Sequence, residues 1–178
     1  MTSPQKAKGS SWERAVADFL SNLYSEKFLR VPASGAYIGG SNAKRKEFLS
    51  EGQIRHFKGD IIPGESFPLL NIECKNYAGL EFHQLYAGAC RQLDTWINQL
   101  MDPADEDDVN LLLIKITRRG KFACFQETLL NTKVTLPTNY TRYQSGRHGN
   151  WIIVDYDIFW QINKDPIKFI SNKKSLAQ

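Results

Sequence analysis

The chain is short of most residues that mark the commoner metal and redox chemistries. Its three cysteines, Cys74, Cys90 and Cys124, are scattered through 178 residues with no Cys-x-x-Cys pair. That spacing excludes a zinc ribbon and a disulfide framework, and points to reduced thiols in a cytoplasmic setting. The three histidines, His56, His83 and His148, are equally isolated, and no His-Glu-x-x-His stretch is present. No apolar run approaches the roughly 20 residues needed to span a bilayer, so no membrane partner is expected. The basic start "MTSPQKAKGSSWERA" lacks the apolar segment of a secretory signal. Internal repeats and low-complexity tracts are missing too.

What is present is ordinary in amount and uneven in placement. Hydrophobic residues make up 42% and charged residues 24% of the chain, a balance suited to a single globular domain over 1–178 with a real core. The net charge is only +4, but residues 1–58 hold ten Lys/Arg against five Asp/Glu, and 115–150 hold seven against one. The opposing charge gathers in "DPADEDD", residues 102–108, which reads as a solvated acidic loop. Basic surfaces set apart from an acidic cluster suit a nucleic-acid partner.

Periodicity predicts an α/β order of elements. Trp12, Val16, Phe19, Leu20 and Leu23 recur at helical spacing in an opening helix over 10–27, and "KFLRVPASG" follows as a short strand and turn. Residues 36–58 read as a long loop insertion. "GDIIP" and "FPLLNIECKNY" are strands joined at "PGES". A single helix is expected over 81–101, with Phe82, Leu85, Tyr86, Ala89, Leu93, Trp96, Ile97 and Leu100 as its apolar stripe. "VNLLLIKIT" and "KFACFQETL" form a hairpin around "RRG". "LPTNYTRYQSGRHGN" reads as a polar loop, and "WIIVDYDIFWQIN" as a strand entering a short helix capped by Asp157. Residues 171–178 form a flexible tail.

The chemistry concentrates in "LLNIECKNY". Alternation puts Leu70, Ile72 and Cys74 on one face of the strand and Asn71, Glu73 and Lys75 on the other. An acidic-x-Lys tripeptide is weak by itself, because chance supplies about 1.5 in a chain of this composition. Asp60 adds weight: it opens the preceding strand directly after Gly59, and antiparallel pairing of the two strands would set its carboxylate beside Glu73. Two carboxylates held together repel unless a proton or cation intervenes. Mg²⁺, which takes oxygen ligands from one or two carboxylates plus water and phosphate, is the natural intervener, and Mn²⁺ would substitute. Lys75 could then orient a nucleophilic water or steady charge growing on a phosphate.

At Asp60, Glu73 and Lys75 the sequence resembles the PD-(D/E)xK nuclease superfamily, with Gly59 in place of the usual proline. The opening "KGSSWERAVADFLSNLYSEKFLRVPASG" resembles archaeal-type Holliday junction resolvases over residues 8 to about 100. That resemblance implies a restriction-endonuclease-like core, a mixed central β-sheet flanked by helices. It makes Glu13 the helix glutamate of the active site and a third metal ligand, and Ser34 a loop serine near the scissile phosphate. The enlarged 36–58 segment and the longer second half depart from the resolvase pattern and leave substrate choice open. The expected activity is metal-dependent cleavage of Holliday junctions or other branched DNA. A restriction-like or repair nuclease acting on duplex or flaps, and a non-catalytic DNA-binding module, are the alternatives.

Candidate DNA contacts are Arg30, Lys44, Arg45, Lys46 and Lys58 around the site, Arg118 and Arg119 at the hairpin tip, and Arg142 and Arg147 in the late loop. Resolving a four-way junction takes two symmetric nicks, which a C₂ homodimer provides. "WIIVDYDIFWQI" reads either as its interface or as ordinary core. The expected location is cytoplasmic, in the host if the source is viral.

Overall fold

Residues 109–116 set the architecture, because their side chains are apolar on both faces. Leu111 and Leu113 belong to one buried cluster, while Leu112, Ile114 and Ile116 belong to another. A strand apolar on both sides must lie between two covering layers. The computed structural model describes residues 4–31 and 58–172, with side chains from Gly9 onward. Expectations resting on 32–57, among them Ser34, Lys44, Arg45 and Lys46, and on 173–178 lie outside the described residues.

Two antiparallel short strands, β1 (Leu29–Arg30) and β2 (Ile61–Ile62), form a ribbon of their own. The central sheet holds β3 (Leu70–Tyr77), β4 (Val109–Ile116), β5 (Gly120–Gln126), β6 (Thr141–Ser145) and β7 (Gly149–Asp155), in the order β3-β4-β5-β7-β6. β3 and β4 run parallel, and the remaining neighbours are antiparallel. The sheet is therefore mixed, and β3 is one of its two edges. On one face, α1 (Pro4–Tyr24) and α4 (Tyr156–Ile170) bury Trp12, Val16, Leu20, Tyr156, Phe159 and Trp160 against Ile72, Leu111, Phe125 and Ile152. The other face is covered by α3 (Arg91–Met101) through Leu93, Trp96, Ile97 and Leu100. This is the helix-flanked mixed sheet that the sequence led us to expect. No described helix is long and apolar enough to cross a membrane.

Three local expectations need correction. The helix over 81–101 is two helices, a single-turn α2 (Phe82–Tyr86) and α3, because Gly88 between them adopts a left-handed φ of +71°. Tyr86 and Ala89, assigned to the apolar stripe, are consequently exposed. The "polar loop" contains β6, whose Tyr143 and Ser145 are buried while Arg142 and Gln144 face out, a period-2 pattern hidden by its polar composition. Helix α4 is capped by Asp155, whose carboxylate accepts from the N–H groups of Asp157 and Ile158 at 2.9 and 3.0 Å. Asp157 falls in the first turn, where it pairs with Lys121 instead. Of the two readings of "WIIVDYDIFWQI", ordinary core fits most of it: of its large apolar residues only Ile158 and Ile162 are exposed.

Candidate active site

An edge strand leaves a row of backbone groups without partners, and β3 has this row occupied by Asp60. The Asp60 N–H donates to the Ile72 carbonyl at 2.8 Å, and its carboxylate Oδ2 accepts from the Cys74 N–H at 2.8 Å. One residue thus satisfies two successive outward groups of β3. Gly59 makes the approach possible, since a Cβ there would lie 2.3 Å from the Ile72 carbonyl oxygen. The pairing differs from expectation: β2 forms its ladder with β1, and the Asp60 carbonyl accepts from Val31 at 2.9 Å. Asp60 nevertheless comes to rest against the strand that carries Glu73 and Lys75.

The polar face of β3 has three different resolutions along its length. Near its start, Asn71 donates to the Asn110 side-chain oxygen at 2.7 Å and to the Leu100 carbonyl at 3.2 Å. Further on, Lys75 Nζ donates to Glu73 Oε1 at 2.6 Å, both side chains being mostly buried. The third resolution is electrostatic and incomplete. Burial, then repulsion from Glu73 and from Glu13, raises the Asp60 carboxyl to about 7, although the Cys74 N–H and the Lys75 ammonium pull the other way. Burial also raises Glu73 against the opposing pull of Lys75. For Lys75, burial alone would lower the ammonium, but Glu73 more than offsets it and holds it above the ordinary lysine value. The site therefore carries more negative charge than its one lysine neutralises.

Glu13 is buried on α1 and is joined to Arg30 of β1 by an ion pair. It lies close enough to raise both Asp60 and Glu73. The structure thus gathers Glu13, Arg30, Asp60, Glu73 and Lys75 from α1, β1, the start of β2 and β3. Among the described residues, no three or more His, Cys, Asp and Glu side chains are arranged as a ready cation cage. The donor set still suits a hard divalent cation, because Mg²⁺ needs only one or two carboxylates besides water and phosphate. Asp60 and Glu73 could serve as those carboxylates.

The acidic loop does more than meet solvent. Lys58 Nζ lies 2.6 Å from both Asp105 and Asp108, and the side chains of Lys58 and Asp108 are 8% and 5% exposed. This clamp holds the chain two residues before Asp60. Lys58→Met leaves the Asp108 charge buried without its partner, at an expected cost of about 3 kcal/mol. It should also lower activity roughly tenfold by loosening Asp60. Chemical denaturation and initial cleavage rates would test this; an unchanged rate would remove the positioning role.

The other basic residues are dispersed. Arg118, with φ of +61°, and Arg119 sit at the β4–β5 turn, at the end of the sheet toward which β3 runs after Lys75. Arg142 pairs with Glu127 and lies on β6, the opposite edge of the sheet, about 19 Å from β3 at the usual strand spacing. Arg147 is on the β6–β7 turn, 4.0 Å from Asp102. The structure does not bring these two together with the carboxylates. The sequence reading missed the Glu13–Arg30 pair and the Lys58 clamp. The signals for them were an arginine in the strand after the first helix and a compensating acidic run.

A family model described as phage putative PDDEXK endonuclease matches residues 4–168. That span holds Glu13, Asp60, Glu73 and Lys75. No curated protein and no solved structure matches the chain.

Proposed function

Because the chain belongs to the phage putative PDDEXK endonuclease family, we propose that it is a Mg²⁺-dependent, structure-selective endodeoxyribonuclease that hydrolyses phosphodiester bonds in branched DNA. The superfamily generally uses divalent metals, and the choice of cation and of substrate is our reading. The observation that carries it is the Asp60 carboxylate, held on the edge of β3 by the Cys74 N–H and raised by burial and by the nearby Glu73 and Glu13 charges, with Lys75 opposing.

The roles follow from charge and position. Asp60 and Glu73 would hold the cation, with Glu13 in reserve behind its pair to Arg30. When bound, a divalent cation supplies polarisation of the phosphate and a more acidic water. Lys75 orients the attacking water or steadies the charge that develops on the phosphate oxygens. Arg30, paired with Glu13, would meet a phosphate oxygen of the approaching DNA backbone. Ser34 would assist in holding the phosphate, and Lys44, Arg45, Lys46, Arg118 and Arg119 would contact the flanking backbone.

Two like-polarity nicks in a four-way junction call for two identical sites related by a two-fold axis. The exposed Ile158, Ile162 and Phe169 on α4 are the apolar surface such a homodimer would use. One experiment tests the reading: cleavage of a four-way junction, a flap and linear duplex, in Mg²⁺, Mn²⁺, Ca²⁺ and chelator, with sedimentation of the same sample. We expect a dimer and paired junction nicks with Mg²⁺ or Mn²⁺, and binding with little turnover in Ca²⁺, which coordinates more loosely. Undiminished cutting in chelator would overturn the metal mechanism. A monomer that cuts linear duplex as fast as a junction would move the assignment to a restriction-like or repair nuclease.

A further inference from the structure

Beyond Lys75, β3 ends at Tyr77 and the chain turns into a surface cleft of about 300 Å³ lined by Gly79, Leu80, Glu81, Phe82, His83 and Arg119. It lies at the C-terminal ends of the parallel strands β3 and β4, where Tyr77 pairs with Ile116 and Arg119 follows in the turn. Open sheets place ligands at this end of parallel strands. Gly79 is four residues along the chain from Lys75, so their Cα atoms are at most about 14 Å apart. Anything bound in the cleft is within reach of the same DNA molecule that meets the catalytic residues.

The lining is specific in kind. Leu80 is buried and forms an apolar floor. Gly79 contributes no side chain, and a Cβ there would meet nothing within 4 Å, so a ligand can lie against bare backbone. The Phe82 ring is braced edge-on by Phe122 at 5.6 Å. One turn further along α2, on the same face, Tyr86 is 84% exposed. Phe82, half-buried against the core, is thus followed on a one-turn helix by a second ring that has no role in the core. The polar groups are of both kinds. Glu81, 3.4 Å from His83, is an acceptor, while the Arg119 guanidinium has no carboxylate partner among the described residues.

A bare phosphate would be repelled by Glu81, and a purely apolar ligand would leave Arg119 unused. A nucleotide matches all of it: a π-face for Phe82, exocyclic amino groups for Glu81, and a phosphate for Arg119. In paired duplex the base faces are stacked and unavailable. We propose that this cleft is a subsite for an unpaired nucleotide, with Phe82 and Tyr86 as the stacking platform and Arg119 as its phosphate contact. It would select DNA in which a base is free at or near the branch. The proposal rests on the nuclease reading and deepens it, giving a preference for branched DNA that exposes an unpaired base over fully paired linear duplex.

The test uses the full chain in chelator and a duplex bearing a single-nucleotide bulge of 5-iododeoxyuridine, with the same residue paired in a linear control. Ultraviolet crosslinking should join the bulged nucleotide, and not the paired one, to Phe82 or Tyr86. Phe82→Leu, which keeps apolar packing against Phe122, should weaken bulge binding about 10-fold and linear-duplex binding less than about twofold, and Phe82→Tyr should restore it; Arg119→Ala should weaken bulge binding more than linear-duplex binding. Crosslinks outside residues 79–86 and 119, or equal losses on both DNAs, would overturn the subsite. Cleavage of a junction in Mg²⁺ decides the nuclease reading separately, so either can fail while the other stands.

Discussion

Asp60→Asn is expected to lower DNA cleavage by roughly 10²–10³-fold or more, and also to make the metal-free protein more stable at pH 8. The two effects share one cause. In the folded chain the Asp60 carboxyl is raised to about 7 by burial and by the Glu73 and Glu13 charges, whereas in the unfolded chain it titrates near 3.9. Between those values the folded state keeps a proton that the unfolded state has released. Stability contributed by this group therefore falls as pH rises from about 4 to about 7, and the penalty is complete above that. An amide has no proton to lose, and its Oδ1 can still accept from the Cys74 N–H. The advantage of Asp60→Asn should be near zero at pH 4 and reach a plateau on the order of 2–4 kcal/mol above pH 7. Adding Mg²⁺ should close the gap by stabilising the wild type more than the mutant, since on the proposed reading the cation would bind the folded state through ionised carboxylates. Thermal melts across pH, with and without Mg²⁺, check this. A mutant less stable than wild type at pH 8 would mean that Asp60 serves the fold and stores no repulsion for a cation.

That trade explains why the carboxylate-lysine set was legible in the sequence. A buried strand that alternates Leu70, Ile72 and Cys74 with Asn71, Glu73 and Lys75 contradicts the apolar pattern its position demands, and such local conflicts mark functional sites. Strand periodicity assigns the faces, so Glu73 and Lys75 could be placed without coordinates. Asp60 was harder to place. The turn at "PGES" suggested a hairpin, but β2 is only two residues long and joins β1; what brings Asp60 to β3 is the bare backbone of Gly59. Composition misled at β6, where Tyr143 alone marks the buried side of a short polar strand. It also misled at 102–108, because an acidic run gives no sign of a distant lysine until the chain folds. Long-range ion pairs such as Lys58–Asp108 and Glu13–Arg30 leave only charge balance as a trace, and charge balance has many solutions.

Lys75→Met is expected to abolish turnover by roughly 10²–10³-fold while leaving DNA affinity close to wild type, because most affinity comes from phosphate contacts elsewhere. The same substitution removes the only cation within hydrogen-bonding distance of Glu73 among the described residues, at 2.6 Å. Glu73 is already raised by burial, and Lys75 is the chief influence opposing that rise; without it the carboxyl climbs further. Glu73 should then be held protonated to higher pH, and the stability of Lys75→Met should fall relative to wild type as pH increases, by about 3 kcal/mol at pH 8 and less at pH 5. Divalent cation should restore much of that stability, since it answers the same excess of negative charge, but it should not restore cutting if Lys75 acts on the water or phosphate itself. Lys75→Arg keeps the charge and so should keep the fold, yet its planar fork carries the charge in a different place, and most turnover should still be lost. The three proteins, compared by melts at pH 5 and 8 and by single-turnover cleavage at saturating Mg²⁺, separate the two roles. Full activity in Lys75→Arg, or recovery of Lys75→Met by cation alone, would make Lys75 a counterion for Glu73 and leave the orientation of the water to another group.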